Sequence, residues 1–345
     1  MKLFSTSTFL TVIAITLLLP SCRQDDSHKA PLSLIMETDL GNDVDDALAL
    51  DLIYKYMDAG KIRLLAINLN KNGNAPAEFA DILNTWYGYP DIPIGIIRDG
   101  ADCETDAAVN YAKAVVNLKD GEGKPLFARS HPDYENYPEA VTLYRKLLAA
   151  EPDFSVVIAS VGFSTNLARL LDTPGDTWSP LTGKELVARK VKLLVTMAGD
   201  FSNPDSHEYN VVKDIPAAKT VFEEWPTRVV TSPFELGIQV LYPATSIEND
   251  FGWAPSHPVV EAYKAYLKMP YDRPTWDPTA VLYAVEGDDW FTVSPPGHIM
   301  VTDEGSTLFI EGPDTRRYLS VSPGQADAIL KHFIEIITSQ PKNKK

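Results

Sequence analysis

The stretch that decides the fold is Leu34-Ile35-Met36-Glu37-Thr38-Asp39-Leu40-Gly41-Asn42-Asp43-Val44-Asp45-Asp46. Its apolar start, residues 34–36, predicts a buried strand, and Asp45 and Asp46 open an apolar-periodic helix over residues 47–56. Five carboxylates therefore lie between the end of a strand and the start of a helix, where open α/β sheets bind ligands. Crowded carboxylates repel one another unless a cation neutralises them, and hard oxygen ligands favour calcium or magnesium over zinc.

These acids have three other interpretations. Helix capping alone accounts for Asp45 or Asp46 but not for Asp39. A calcium-binding EF-hand loop is excluded, because the glycine is misplaced and the Glu required at the twelfth position is missing. A phosphatase of the haloacid dehalogenase type also begins with a strand and paired acids, but it would need Asp in place of Glu37 and Thr or Val in place of Gly41.

Beyond this stretch, short apolar runs alternate with helical patterns. The pattern predicts strands at residues 64–69, 92–96, 155–161, 191–197 and 228–230, and short strands and turns between 290 and 320. It predicts helices at residues 75–86, 139–150, 167–171, 215–225, 259–267, 275–285 and 325–338. Residues 100–137 are predicted to be an irregular polar insertion, and residues 174–183 a turn-rich break. This alternation predicts an α/β fold, a single domain over residues 31–340 with a mainly parallel central sheet flanked by helices.

The formal net charge of the 345 residues is −16. Such a negative balance argues against nucleic acid and anionic membrane surfaces as binding partners. It is compatible with a neutral or cationic small-molecule substrate, and an oligomer is also compatible with it.

The amino terminus predicts export. Residues 1–21 combine Lys2 with an apolar run over residues 9–19 that is too short to span a bilayer as a mature helix. Leu19-Pro20-Ser21-Cys22 resembles a bacterial lipoprotein cleavage box, although an ordinary secretory signal with a chance cysteine is an alternative. We expect a signal peptide over residues 1–21, a lipid on Cys22, a polar tether over residues 22–30, and anchoring to a bacterial membrane at its periplasmic face or at the cell surface. With Cys22 lipidated, Cys103 has no partner for an intramolecular disulfide.

Polar clusters follow several predicted strands, at residues 39–46, 72–74, 161–166, 197–210 and 276–277. Their residue types and order resemble the inosine-uridine-preferring nucleoside hydrolase family, from about residue 34 to the end of the chain. The resemblance implies a secreted, membrane-anchored member of that family that hydrolyses the N-glycosidic bond of ribonucleosides or related N-ribosides to ribose and a base, as in purine and pyrimidine salvage. It also implies calcium (Ca2+) as the cofactor.

The resemblance also assigns a metal-binding loop. The family's loop, Asp-x-Asp-Pro-Gly-x-Asp-Asp, is matched in order by Glu37, Asp39, Gly41, Asp45 and Asp46. The calcium ligands that it implies are Asp39, Asp46, the backbone carbonyl of Val161, and Asp277. Asp39 is also implied to be the catalytic base that takes a proton from the attacking water.

The sugar-binding residues that the resemblance implies are Asp45, Asn74, Asn203, Glu208 and Asn210 for the ribose hydroxyls, with Met197 lining the sugar pocket. These residue types suit the reaction, because splitting an N-glycosidic bond builds positive charge on the sugar, which carboxylates stabilise. Asn203 and Asn210 could instead be ordinary loop asparagines. Asp277 before Pro278 could equally be a helix N-cap.

The sequence departs from the family pattern at two places that matter. Two extra residues lie between Gly41 and Asp45, so Asp43 has no counterpart. Trp276, expected to bind the substrate's base, stands where the family has a histidine that often protonates the departing base. An indole N–H cannot donate a proton near neutral pH but its ring can stack on another ring.

The sequence alone leaves two possibilities for how the base departs when Trp276 replaces the histidine. Either the leaving group itself limits the rate, or another residue such as His207 or Tyr209 supplies the proton. An alternative function is a ribose- or nucleoside-binding lipoprotein with weakened catalysis, and a less favoured one is a metal-dependent phosphatase.

Overall fold

Ten strands form one sheet in the computed structural model, which describes residues 30–101 and 110–344. The strands of the described chain are β1 (Leu32–Thr38), β2 (Ile62–Leu69), β3 (Ile94–Gly95), β4 (Val156–Ser160), β5 (Val191–Met197), β6 (Arg228–Ser232), β7 (Leu241–Tyr242), β8 (Arg273–Pro274), β9 (Thr292–Val293), β10 (Gly297–Val301), β11 (Thr307–Glu311) and β12 (Arg316–Ser320). Strands β7 and β8 pair with each other in a separate antiparallel sheet.

The helices of the same residues are α1 (Asp45–Asp58), α2 (Asn74–Tyr87), α3 (Tyr111–Val116), α4 (Ala140–Ala150), α5 (Thr165–Leu171), α6 (Gly183–Lys190), α7 (Tyr209–Val212), α8 (Ile215–Glu224), α9 (Phe234–Gly237), α10 (Ala244–Asn249), α11 (Pro258–Tyr266), α12 (Trp276–Glu286) and α13 (Pro323–Ile337). Short 3-10 turns lie at Tyr134–Asn136, Gly287–Trp290 and Lys342–Lys344. No helix among the described residues is long and apolar enough to cross a membrane.

The strand order in the large sheet is β11-β10-β12-β6-β5-β4-β1-β2-β3, with β9 paired to β12. The seven strands from β12 to β3 on this path run parallel to one another. The pairs β10 with β12, β10 with β11, and β9 with β12 are antiparallel. The order β3-β2-β1-β4-β5-β6 is doubly wound, and it reverses direction between β1 and β4. The predicted fold class, one α/β domain with a mainly parallel central sheet flanked by helices, is confirmed.

Helices cover both faces of the sheet, so that β1 is buried on both sides. Leu34 and Met36 face a core shared with α1, α12 and α13, whereas Ile35 faces a second core shared with α4, α5, α6 and α8. This alternation follows from the two-residue period of a strand. A continuous apolar run such as residues 34–36 is typical of a parallel strand buried in this way.

The structure differs from the predicted elements in a few places. The turn-rich break predicted at residues 174–183 ends in helix α6, which begins with a capping box between Thr182 and Glu185. The predicted strand at 92–96 is only two residues long. Helix α12 begins at Trp276, so Asp277 lies in its first turn rather than at its N-cap. The short helices α7, α9 and α10 were not predicted, because four to six residues show no clear period.

Three predictions fall on residues whose structure is not described. The signal peptide over residues 1–21, the lipid on Cys22 and nearly all of the tether lie outside the described ranges, as does Cys103. Within the predicted irregular insertion, residues 110–137 contain helix α3 and one 3-10 turn.

Candidate active site

A cleft of about 400 Å3 opens at the carboxyl ends of β1, β4, β5 and β6, where the strand order reverses. Its size is that of a small-molecule site. The lining residues come from the loops after these strands, from the end of α11 and from the start of α12: Asp39, Asn42, Asp43, Asp45, Asp46, Val161, Met197, Ser206, His207, Glu208, Tyr209, Asn210, Phe234, Tyr266, Trp276 and Asp277.

The floor of the cleft is acidic and buried. Asp39, Asp45, Asp46 and Asp277 are each at most 5% exposed. The chain reaches α1 from β1 by turning at Gly41, whose φ of 108° lies in the region that side-chain-bearing residues rarely adopt. This turn is what brings carboxylates from both sides of the loop to one place.

Asp39 is held by a neighbour in the loop. Asn42 Nδ2 donates a hydrogen bond to Asp39 Oδ2 over 2.6 Å, and the buried Lys71 ammonium donates to Asn42 Oδ1. Burial raises the pKa of Asp39 to about 6, against the lowering effects of the Asn42 hydrogen bond and the Lys71 charge. The Asp39 carboxylate therefore has a fixed orientation at the end of β1.

Two carboxylate oxygens on the floor have no hydrogen-bond partner among the described residues. Thr38 Oγ1 donates to Asp46 Oδ1, and the Asp277 backbone N–H donates to Asp45 Oδ2 over 3.1 Å. The second oxygens, Asp45 Oδ1 and Asp46 Oδ2, are buried and unpaired. Because unpaired buried charges are costly, this arrangement indicates a bound group that the floor is built to hold.

The pKa values of the floor acids are raised together. Burial raises the pKa of Asp45 to about 7, with a further contribution from the charge of Asp43. Burial also raises the pKa values of Asp46 and Asp277 well above their ordinary range, and the neighbouring aspartates add to both shifts. A divalent cation would oppose these shifts, because it favours the ionised form of each carboxylate.

The four implied metal ligands, Asp39, Asp46, Val161 and Asp277, line this same cleft. Across residues 30–101 and 110–344, no three His, Cys, Asp or Glu side chains stand in a ready-made metal-binding arrangement. The donor chemistry nevertheless fits a hard divalent cation, because the floor offers carboxylate and carbonyl oxygens, including one unpaired oxygen of Asp46. The residues thus fit calcium in type and burial.

Glu37, which matches the first acid of the family loop, points away from the cleft. Its carboxylate accepts hydrogen bonds from Tyr144 Oη over 2.6 Å and from Asn166 Nδ2 over 2.7 Å. Burial raises the pKa of Glu37 to about 7, which these two hydrogen bonds oppose. Glu37 therefore ties β1 to α4 and α5 beneath the site.

Four of the predicted sugar-binding residues meet in the cleft: Asp45, Met197, Glu208 and Asn210. The Glu208 carboxylate accepts the backbone N–H groups of Gly199 and Asn210 over 3.0 and 2.8 Å. Asn210 Nδ2 donates to the carbonyls of Met197 and Val161 over 3.0 and 3.1 Å. Asn210 thus joins the ends of β4 and β5, and it is more than an ordinary loop asparagine.

Asn74 and Asn203 do not line the cleft. Asn74 is exposed as the first residue of α2. Asn203 is also exposed, and its Oδ1 accepts the backbone N–H of Asp205 over 3.1 Å, as in an ordinary turn. The structure therefore does not bring these two predicted residues together with the other sugar-binding positions.

Trp276 lines the exposed end of the cleft in a fixed orientation. Its indole Nε1–H donates to the Phe234 carbonyl over 2.9 Å, and the Phe234 ring stacks on it at 5.4 Å between centroids. Gly237 packs so closely that a Cβ there would lie 2.1 Å from the indole Cδ1. The single N–H of Trp276 is therefore already engaged by the protein.

Asp43, which has no counterpart in the family pattern, lies at the same end of the cleft as Trp276. Tyr266 Oη and Arg273 Nη2 each lie 2.5 Å from Asp43 Oδ1. The Arg273 guanidinium lies over the Tyr266 and Trp276 rings, 4.9 and 5.0 Å from their centroids. Sequence reasoning missed Tyr266 and Arg273, since nothing in the spacing pairs Asp43 with residues more than 220 positions away.

The fold and the cleft together define an α/β protein with a buried carboxylate floor at the switch point of its sheet, a site of the size that binds small molecules. The chain belongs to the inosine-uridine preferring nucleoside hydrolase family, whose model matches residues 34–327. It is accordingly an N-ribosyl hydrolase. No curated protein matches the sequence significantly.

Solved structures share the fold at low sequence identity. A plant nucleoside hydrolase superposes with a TM-score of 0.69 at 18% identity, covering 90% of this chain and 100% of its own. A purine-preferring ribonucleoside hydrolase from Gardnerella vaginalis gives 0.69 at 18% identity over 89% and 98% of the two chains. The type III effector protein XopQ, in complex with adenosine diphosphate ribose, gives 0.65 at 18% identity over 90% and 96%.

Proposed function

We propose that this protein is a calcium-dependent hydrolase that cleaves the N-glycosidic bond of ribonucleosides, or of related N-ribosides, to ribose and a base. The observation that carries the proposal is the buried carboxylate floor beside Glu208 and Asn210, with unpaired oxygens on Asp45 and Asp46. Buried, uncompensated carboxylates suit both a divalent cation and the positive charge that develops on the sugar.

In this proposal Asp39, Asp46, the Val161 carbonyl and Asp277 hold the cation. When bound, calcium supplies a Lewis acid that can order neighbouring sugar hydroxyls and make a water more acidic. Asp39, oriented by Asn42, accepts the proton of the attacking water. The side chains of Asp45, Glu208 and Asn210 bind the ribose hydroxyls, and Met197 packs against the sugar.

Ribose release from a panel of ribonucleosides tests the proposal. We expect release of free ribose and base from at least one purine or pyrimidine ribonucleoside in the presence of calcium. Saturable binding of these nucleosides without release of ribose would instead support a ribose-binding lipoprotein. Turnover of phosphate esters in place of ribosides would support the phosphatase alternative.

We expect a single calcium ion per chain and loss of activity in a chelator. Because a ligand that binds only the folded chain stabilises it, calcium should also raise the melting temperature, with magnesium as the comparison. Elemental analysis of protein purified in calcium-replete buffer measures the metal directly. Zinc, or no metal at all, would contradict the calcium assignment.

We also propose that the protein is exported and lipid-anchored. Residues 1–21 would be its signal peptide, residues 22–30 a polar tether on Cys22, and residues 31–340 the hydrolase domain. The sequence Leu19-Pro20-Ser21-Cys22 supports this proposal. Anchoring would hold the cleft outside the cytoplasm, at the periplasmic face of a membrane or at the cell surface.

Cys22→Ala is expected to release the protein from the membrane fraction or to leave its signal peptide uncleaved, because the substitution removes the thiol that would carry the lipid. Fractionation and the mass of the mature chain measure both outcomes. Cys103→Ala, which removes the other cysteine, serves as the control and should fractionate like the wild type. A Cys22→Ala protein that matures and fractionates normally would count against lipidation.

A further inference from the structure

We propose that the cleft selects N-ribosides in which the ring nitrogen of the glycosidic bond is cationic, such as N-ribosides of pyridinium-type rings. The proposal names a substrate class for the same site and rests on the proposed hydrolase function. Three features of the cleft carry it: the charge of its lining, the aromatic edge at its exposed end, and the engaged indole of Trp276.

The lining of the cleft is strongly negative. Among the described residues, six carboxylates line it, those of Asp39, Asp43, Asp45, Asp46, Glu208 and Asp277, whereas no lysine or arginine does. The nearby cations are already paired, since Arg273 binds Asp43 and Lys71 binds Asn42. With a divalent cation bound, which favours the ionised form of each carboxylate, the six negative charges still outnumber those of this cation, Arg273 and Lys71 together. Such a field draws cations into a cleft and repels anions.

The exposed end of the cleft is bordered by the rings of Phe234, Tyr266 and Trp276. The faces of aromatic rings attract cations. Two of these rings already do so here, because the Arg273 guanidinium lies within 5.0 Å of the centroids of both Tyr266 and Trp276. The Phe234 ring is 36% exposed, so a flat, positively charged ring that enters this end can lie against its face, at the same end of the cleft as the half-exposed carboxylate of Asp43.

The way in which the ring leaves when the C–N bond breaks also favours N-ribosides of cationic rings. When the C–N bond of a neutral purine riboside breaks, the ring keeps the electron pair and leaves as an anion unless it gains a proton. A cationic ring that keeps the same pair leaves as a neutral molecule. The water oxygen bonds to the sugar carbon, and its proton passes to Asp39. No donor is then needed where Trp276 stands, whose N–H is bound to the Phe234 carbonyl.

Binding of two unreactive ring probes separates charge from shape. 1-Methylnicotinamide and nicotinamide share a ring and an amide but differ in ring charge, and neither has a glycosidic bond. We expect the cation to bind on the order of tenfold more tightly, which is what one favourable cation–aromatic contact contributes. Quenching of tryptophan fluorescence measures both affinities. Equal affinities would overturn the proposal, even if the enzyme hydrolyses ribosides.

Two cationic substrates then isolate the effect of charge on turnover. Nicotinamide riboside and nicotinic acid riboside share the scissile bond, but the second carries a carboxylate. We expect kcat/KM to be about tenfold higher for nicotinamide riboside, and we expect this advantage to fall as salt screens the cleft. Equal values for the two cationic ribosides would overturn the proposal. A higher value for inosine than for nicotinamide riboside would also overturn it and would indicate a proton donor, with His207 at the cleft the first candidate.

A charge variant localises the effect. Asp43→Asn keeps an oxygen for Tyr266 and Arg273 but removes a charge from the exposed end of the cleft, so it should weaken the binding of 1-methylnicotinamide and not that of nicotinamide. Glu335→Gln removes one charge from an exposed position on α13 and should change neither affinity. A loss of affinity for both probes in Asp43→Asn would mean disturbed packing. Asp43→Glu, which keeps the charge, should in that case still bind 1-methylnicotinamide more tightly than nicotinamide. If no riboside releases ribose, the hydrolase function fails, while the probe affinities still decide the charge preference.

Discussion

Asp39→Asn is expected to lower turnover of the preferred riboside by roughly 10²–10⁴, which is the usual contribution of a general base. The amide retains an oxygen on the floor of the cleft but cannot accept the proton of the attacking water at neutral pH. The sugar should therefore still bind. Steady-state kinetics measure the loss of kcat, and calorimetric titration with ribose measures the retained binding.

Two control variants make the Asp39 result specific. Asp205→Asn changes an exposed acid in the loop after β5 that does not line the cleft, so its kinetics should match the wild type. Asn42→Ala removes the hydrogen bond that orients Asp39 and should cause a smaller loss than Asp39→Asn. Near-normal turnover of Asp39→Asn would show that another group takes the proton.

A riboside of 4-nitrophenol is expected to be hydrolysed far faster than inosine, by about 10²–10⁴ in kcat/KM. Nitrophenol leaves readily as an anion, whereas the purine needs a proton that the engaged N–H of Trp276 cannot give. The size of the gap equals what acid catalysis ordinarily contributes. Rates measured with both substrates under identical conditions decide the point.

Trp276→Phe provides the matched variant for the leaving-group experiment. It keeps a ring against Phe234 and Gly237 but removes the N–H altogether. If the indole gives no proton, the ratio between the two substrates should stay as in the wild type. Equal or better hydrolysis of inosine by the wild type would mean that a donor is present and that our account of Trp276 is wrong.

Much of the fold could be predicted because its signals are local. The buried strand at residues 34–36, the acids at the start of α1 and the strand Val191–Met197 all follow from apolar runs and helix-start residues within short windows. Helix α6 could also have been found, since Thr182 and Glu185 have the spacing of a capping box. Short helices such as α9 lack enough residues for a period.

The candidate site could be predicted only where a residue belongs to a motif. Asp39, Asp46 and Asp277, each at a strand end or a helix start, line one cleft. Asn74 and Asn203 also follow predicted strands, but their side chains are exposed outside the cleft. The path of the loop backbone sets the direction of a loop side chain, and the sequence does not show that path. Pairings between segments distant in sequence, such as Asp43 with Arg273 of β8, have no sequence signal at all.

The central position of β1 has a consequence for the order in which the site can form. The first strand of the described chain lies between β2 and β4, so its loop cannot be enclosed until later segments have been added on both sides. The last contribution comes from α12, where the Asp277 N–H meets an Asp45 carboxylate that precedes it by 232 residues. Contacts so distant in sequence slow folding, because the long chain segment between them must first be closed into a loop. An amino-terminal fragment can therefore contain the whole acidic loop and still lack the binding site, and a ligand of the cleft stabilises the complete domain rather than any part of it.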